Sequence, residues 1–386
     1  MQLHATTESR RSRGGLAPLL AAEHDLVDHP LFGDSAQIAE RVLERYRFGV
    51  ELFAERCPAI VASSEHVAAL ADADATTLFR DPVLRLALEQ AFERLEAGTL
   101  SSPDRVEELL PLALGAMARS QEQLCLSRMR PPVPVGSDAT MWLWNLPERG
   151  GATDSVLDTL WGCFESVSRG DRATLLAADC VTAQQVERAC TLLRTTLPEI
   201  GPSVLGHITA IAIVDMSAEG GRLLSASGGD LIPSSILLSR TQLDDPWDAA
   251  GHLLHEGLHL KLFDIVRSHT LVRAATPMVD IPWRNIQWSI VRVVFAFHVY
   301  VHIVLFKKAV ERDAPALTSR FGVPSRYAVT GHAMSVASAS SASPYASAAD
   351  RTRFLAEQLQ GAWSAHLTEH GRRLVEWLVG AIEAIS

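Results

Sequence analysis

The 386-residue sequence lacks an excess of positive charge: 35 Lys and Arg stand against 45 Asp and Glu, for a formal net charge of -10. An acidic balance of that size excludes the basic surface on which nucleic-acid phosphates are held, so no nucleic-acid partner is expected. Cysteine is also scarce. The five (Cys57, Cys125, Cys163, Cys180 and Cys190) are odd in number, scattered and without metal-site spacing. They exclude a disulfide framework and read as reduced core thiols of a cytoplasmic protein. There is no internal repeat. Arg10, Arg11 and Arg13 precede only a short apolar stretch, Leu16 to Ala22, with no clear cleavage site, so no secretion signal is expected. The one segment that suggests a membrane span, Ile290 to Phe306, carries Arg292, His298 and His302. Ionisable groups there are costly in lipid and the run is short for a span, so a buried core helix is expected and no membrane partner.

With 47% hydrophobic and 21% charged residues, the composition is that of an ordinary globular chain long enough for a sizeable core. Residues 1–34 read as a loose leader, in which His24 and His29 are expected to be solvated. Residues 35–130 carry helical periodicity, with breaks at Pro58, Pro82 and Ser101-Ser102-Pro103-Asp104, and form an α-helical N-terminal unit. Arg130-Pro-Pro-Val-Pro-Val-Gly136 reads as a linker, because adjacent prolines exclude helix. Residues 137–386 form the remaining domain. Helices are expected over Val156 to Val167 and from a Thr182 cap to Leu197. Then the period changes: Ile208 to Met216, Gly221 to Ser227 and Leu231 to Ser239 read as three short antiparallel strands. Ser335 to Ala348 is a Ser/Ala-rich surface loop or lid. The predicted class is α+β, mostly helical, with a zincin-like small antiparallel sheet beside a ligand helix.

That helix is the centre of the chain. Asp245-Pro246 announces its start, Asp248 sits in its first turn, and His255-Glu256-Gly-Leu-His259 follows. Spacing of four puts both imidazoles on one helix face, where they can share a metal ion, with Glu256 beside them. The apolar flanks (Leu253, Leu254, Leu258, Leu260) predict a buried helix, and buried histidines require partners.

The third ligand is open. No Glu occurs between Glu256 and Glu311, and the pattern with a further Gly and His soon after the motif is absent. Asp264, His269, Asp280, His298 and His302 remain. His298 is preferred, with His302 as a supporting or substrate-contacting residue and Asp280 next in line. Arg284, after Pro282-Trp283, and Arg292, inside the apolar helix, are candidates to hold a carboxylate bidentately.

The order of strands, H-E-x-x-H followed by Leu-Lys-Leu, Pro282-Trp283-Arg284, a long helix bearing Phe295, Phe297 and Tyr300, and a late segment Leu367 to Leu374 resembles the H-E-x-x-H peptide β-hydroxylases. The likeness covers about residues 204–378. It implies an Fe(II)- and 2-oxoglutarate-dependent oxygenase that hydroxylates an amino-acid side chain of a peptide or carrier-bound substrate in natural-product biosynthesis. In the family pattern a His-Gly pair precedes the aromatic pair on the long helix, and Arg292-Val293 stand there in this chain. Two further readings rest on the motif alone: zinc hydrolysis with Glu256 as general base, or a catalytically silent binding protein.

Overall fold

A computed structural model of the protein describes residues 18–100, 104–119, 133–136, 141–144, 162, 174–215, 225–273, 277–284, 286–324 and 345–385. The fold is α+β and mostly helical, with a small mixed sheet and a separate two-stranded antiparallel sheet. It divides into two compact units, one of Ala36–Glu187 with Gly206–Thr241, the other of Met1–Ser35, Arg188–Leu205 and Gln242–Ser386.

The first unit opens with the expected helices, Ser35–Ala54, Val61–Ala69, Asp72–Phe79, Pro82–Glu96 and Asp104–Arg119. Local chemistry sets their ends. Asp81 accepts hydrogen bonds from the Val83 and Leu84 amides at 2.8 and 3.1 Å, and Pro82 takes the first helical position, where no amide is needed. The strands are β1 Val133–Val135, β2 Met141–Leu143, β3 Thr174–Leu175, β4 Ala210–Asp215, β5 Ser225–Ser227 and β6 Ser235–Ser239, in the order β1-β2-β4-β6-β5, with β3 also on β4.

This sheet is mixed, which corrects the antiparallel expectation. β2, β4 and β6 run parallel, while β1, β3 and β5 pair antiparallel to their neighbours. Residues 210–214 of β4 and all of β6 are buried without alternation, the pattern of strands covered on both faces, as parallel strands are. The Pro-rich linker is corrected too. Its second half is edge strand β1, where Pro134 costs no central ladder bond. No boundary falls there, because Tyr46, Phe53, Leu84 and Leu88 of the helices share one core with Trp142, Ala210, Ala212 and Leu237 of the sheet. The helix expected from Thr182 runs Cys180–Thr196, and Asp179 accepts from the Thr182 amide at 2.7 Å in place of a threonine cap. Val156 to Val167, apart from Gly162, and residues 335–344 of the Ser/Ala-rich segment lie outside the described residues.

In the second unit residues 18–28 are helical, which corrects the loose leader: Leu19, Ala22 and Leu26 are spaced as one helix stripe and are buried. His24 is exposed as expected, beside Asp28 and Glu199, whereas His29 stacks on Phe32 at 4.7 Å. The motif helix is Pro246–Val266 and the long helix is Ile290–Phe321. Between them lies a hairpin of β7 Met278–Ile281 and β8 Ile286–Ser289. Ser289 caps the long helix, which kinks at Asp313, two residues before Pro315. By length and composition the long helix is apolar enough to cross a membrane, yet 78% of its most apolar window is buried within the fold, as predicted for a core helix. It packs on the motif helix and on helices Ala348–Gln360 and Glu369–Ile385.

Candidate metal centre

The motif helix starts where the sequence says it should. The Asp245 carboxylate accepts from the Trp247 amide at 2.8 Å, and the helix is buried on most of its circumference. Two turns on, His255, Glu256 and His259 bring one donor atom each to within 4.8 Å of one another. Ligands about 2.0–2.2 Å from a shared ion sit slightly closer than that, a difference within reach of side-chain rotation. The two imidazoles are half-buried, with ring centroids 5.0 Å apart, and Glu256 is buried.

Two neighbours shape the pair. The Phe295 ring, from the long helix, lies over His259 at 5.9 Å and meets Phe263 at 4.8 Å. Burial first, then the nearby His255 and the Arg292 guanidinium, hold the His259 pKa well below the usual histidine range. A neutral imidazole is the metal-binding form, so this environment keeps the ligand ready at neutral pH. The donor set therefore fits a divalent ion held by two imidazoles, with a carboxylate at its edge.

The other predicted residues separate into groups. Arg292 is exposed, lies over the Trp288 ring at 4.7 Å and acts electrostatically on His259. Arg284 lies exposed in the hairpin turn, where its backbone amide donates to the Ile281 carbonyl at 3.0 Å. Asp280 is exposed on β7 and accepts from Gln287 Nε2 at 3.0 Å. His298 is fully buried and packs against His302 at 4.7 Å and Trp377 at 6.5 Å; among the described residues it does not join the donor group of the motif helix. His302 donates from Nδ1 to the His298 carbonyl at 2.8 Å, and burial lowers its pKa to about 3. Spacing of four correctly puts the two on one helix face. What that face meets is decided by tertiary packing, which spacing does not encode.

Sequence reasoning passed over three residues here. His252 stands three before His255, is buried, and donates from Nε2 to Gln242 Oε1 at 3.0 Å, with its pKa lowered to about 3 by burial and then by His255. The i, i+3 spacing was its signal. Lys261, fully buried on the same helix, donates to the Gly33 carbonyl and to Ser203 Oγ, and burial lowers its pKa to about 7. Trp288 has a buried indole N–H with no partner among the described residues, and so does Trp283. A scan against protein-family models finds no match to this chain, and a search of curated proteins finds none either.

Proposed function

We propose that the chain is a non-haem iron oxygenase in which His255 and His259 hold Fe(II), 2-oxoglutarate is the co-substrate, and the substrate is an amino-acid side chain of a peptide or carrier-bound molecule. The observation that supports this reading is the exposed Arg292 guanidinium, which lies over the Trp288 ring and acts electrostatically on His259. A hydrolase needs no such fixed cation, whereas a planar fork suits a dicarboxylate held bidentately. Bound iron would supply the oxidising power for an unactivated carbon.

The chain's own residues have separate tasks in this scheme. His259 offers a neutral ring nitrogen without first losing a proton, and His255 supplies the second imidazole. Phe295 lies over the His259 ring and excludes water from one side. Arg292 holds the distal carboxylate of the co-substrate, and Glu256 orients a ligand or the co-substrate from the edge of the pair. The test is anaerobic reconstitution with Fe(II), then addition of oxygen and measurement of succinate formed from 2-oxoglutarate. Turnover that falls in Arg292→Lys supports the reading; no 2-oxoglutarate binding by the wild-type protein removes it.

A second reading, zinc hydrolysis, is favoured by Glu256, whose carboxylate belongs to the same 4.8 Å group. Zinc would lower the pKa of its bound water to about 7, and Glu256 would take the proton. Peptide cleavage that needs Glu256 and ignores Arg292→Lys would select it.

A further inference from the structure

We propose that Arg351 is a second carboxylate-recognition residue, set in an aromatic box formed by the hairpin, the long helix and helix Ala348–Gln360. Arg351 is 6% exposed, so its permanent charge lies almost entirely out of water. No carboxylate pairs with it among the described residues. Its Nε donates to the Tyr345 carbonyl at 3.0 Å and one Nη to the Tyr300 hydroxyl at 3.5 Å, both neutral acceptors. The guanidinium otherwise faces rings, Trp283 at 5.6 Å and Tyr300 at 5.8 Å, whose π faces attract a cation without neutralising it.

The nearest acid in sequence is already committed. Asp350 accepts from the Ser347 amide and hydroxyl at 3.2 and 2.6 Å in a capping box, with Arg353 at 3.5 Å. Between Asp313 and Asp350 the sequence contains no Asp or Glu. A guanidinium has five N–H donors, and the box adds the Trp283 indole N–H, buried and without a partner among the described residues. A buried guanidinium with only neutral acceptors among the described residues, beside a buried indole N–H that has no partner there, matches a planar carboxylate. Trp283 also lies 6.1 Å from Trp288, on which Arg292 rests. The donors of the box come from outside the motif helix, and the site stands whichever ion His255 and His259 hold.

The carboxylate has two sources, the 2-oxo diacid or an acidic peptide, and the test separates them. Full-length protein freed of metal by chelation, and the same protein loaded with Mn(II), are titrated with 2-oxoglutarate and with a short acetylated peptide ending in a free carboxylate. The peptide amide is the control, and tryptophan fluorescence is followed. At least one carboxylate, but not the amide, should give a saturable change, and the one that binds names the source. Arg351→Met should raise its Kd by on the order of tenfold or more while the thermal midpoint stays that of the wild type. Arg351→Lys, which keeps the charge and loses the planar fork, provides the same comparison if the Met variant does not fold. Absence of carboxylate binding by the wild-type protein, or unchanged binding by a folded Arg351 variant, overturns the assignment. Arg351-dependent binding in a protein whose ferrous form makes no succinate leaves this site standing and removes the oxygenase; succinate formation with unaltered binding in the variants removes this site alone.

Discussion

Arg85 and Arg351 lie at the same depth, 4% and 6% exposed, one in the sheet-bearing unit and one in the unit that carries the motif helix. Their surroundings differ. Arg85 donates from Nε to the Tyr46 hydroxyl at 3.0 Å and from an Nη to Ser234 Oγ; the Tyr46 hydroxyl donates in turn to Glu89 at 2.8 Å, and Arg45 closes the group on Glu89 at 3.3 Å. An anion is one hydroxyl away. Arg351 has rings, a carbonyl and a phenol. One cation reaches a carboxylate through its network and the other, among the described residues, meets only neutral groups, the difference expected between a charge that holds a core together and a charge kept for recognition.

The most severe way to break that comparison is to remove each charge in turn. Arg85→Met should cost about 3–5 kcal/mol of unfolding free energy in urea, the scale of opening a buried charged network. Arg351→Met should change stability by less than about 1 kcal/mol, because it deletes a buried cation that has no counter-ion among the described residues. Equal losses would make both arginines structural. Next in size is the metal pair. His259→Ala should weaken Mn(II) or Zn(II) binding, read by calorimetry, by more than the roughly 10- to 100-fold typical of a supporting residue, while His298→Ala should leave it nearly unchanged. A comparable loss at His298 would show that the long helix supplies the third ligand after all.

Arg292→Lys sharpens the contrast at the site itself. It should weaken 2-oxoglutarate binding by about 1.5–3 kcal/mol, the scale of a hydrogen bond to a charged group, and Arg284→Lys should have no effect. The smallest expected effect is a slope. The His302 pKa is lowered to about 3 from 6.5, so as pH falls below 6.5 the unfolded chain takes up a proton that the folded chain refuses. Stability is full above that pH and declines toward pH 3, by at most about 1.4 kcal/mol per pH unit for each such histidine. In urea titrations across that range His302→Gln should flatten the decline; an unchanged slope would leave His252 and other groups responsible.

The parts legible in the sequence were those encoded locally. Asp245 and Pro246 announce the motif helix, the spacing of His255 and His259 is its own geometry, and Asp81-Pro82 does the same for a helix in the other unit. The parts that were not legible depend on what meets what. Nothing in the run Ala210 to Asp215 says that its parallel partners are β2 and β6, although its unbroken burial is the trace they leave. Pro134 looks like a linker residue until the sheet shows that it lies on an edge. Arg351 stands in Asp-Arg-Thr-Arg, a string typical of a solvated helix face, and only the folded chain gives Asp350 to Ser347 and Arg351 to the rings.

Trp247 gives the motif helix one further property. Its indole N–H reaches the Gly322 carbonyl at 3.2 Å, immediately past the last turn of the long helix, where Gly322 bends back at a φ of 91°. Helices ordinarily fray from their ends independently. Here the first turn of the helix that carries the imidazoles is tied by a hydrogen bond to the residue that closes the long helix. In hydrogen exchange the amides of both turns are expected to share an opening free energy, and Trp247→Phe, which deletes the indole N–H, to separate them.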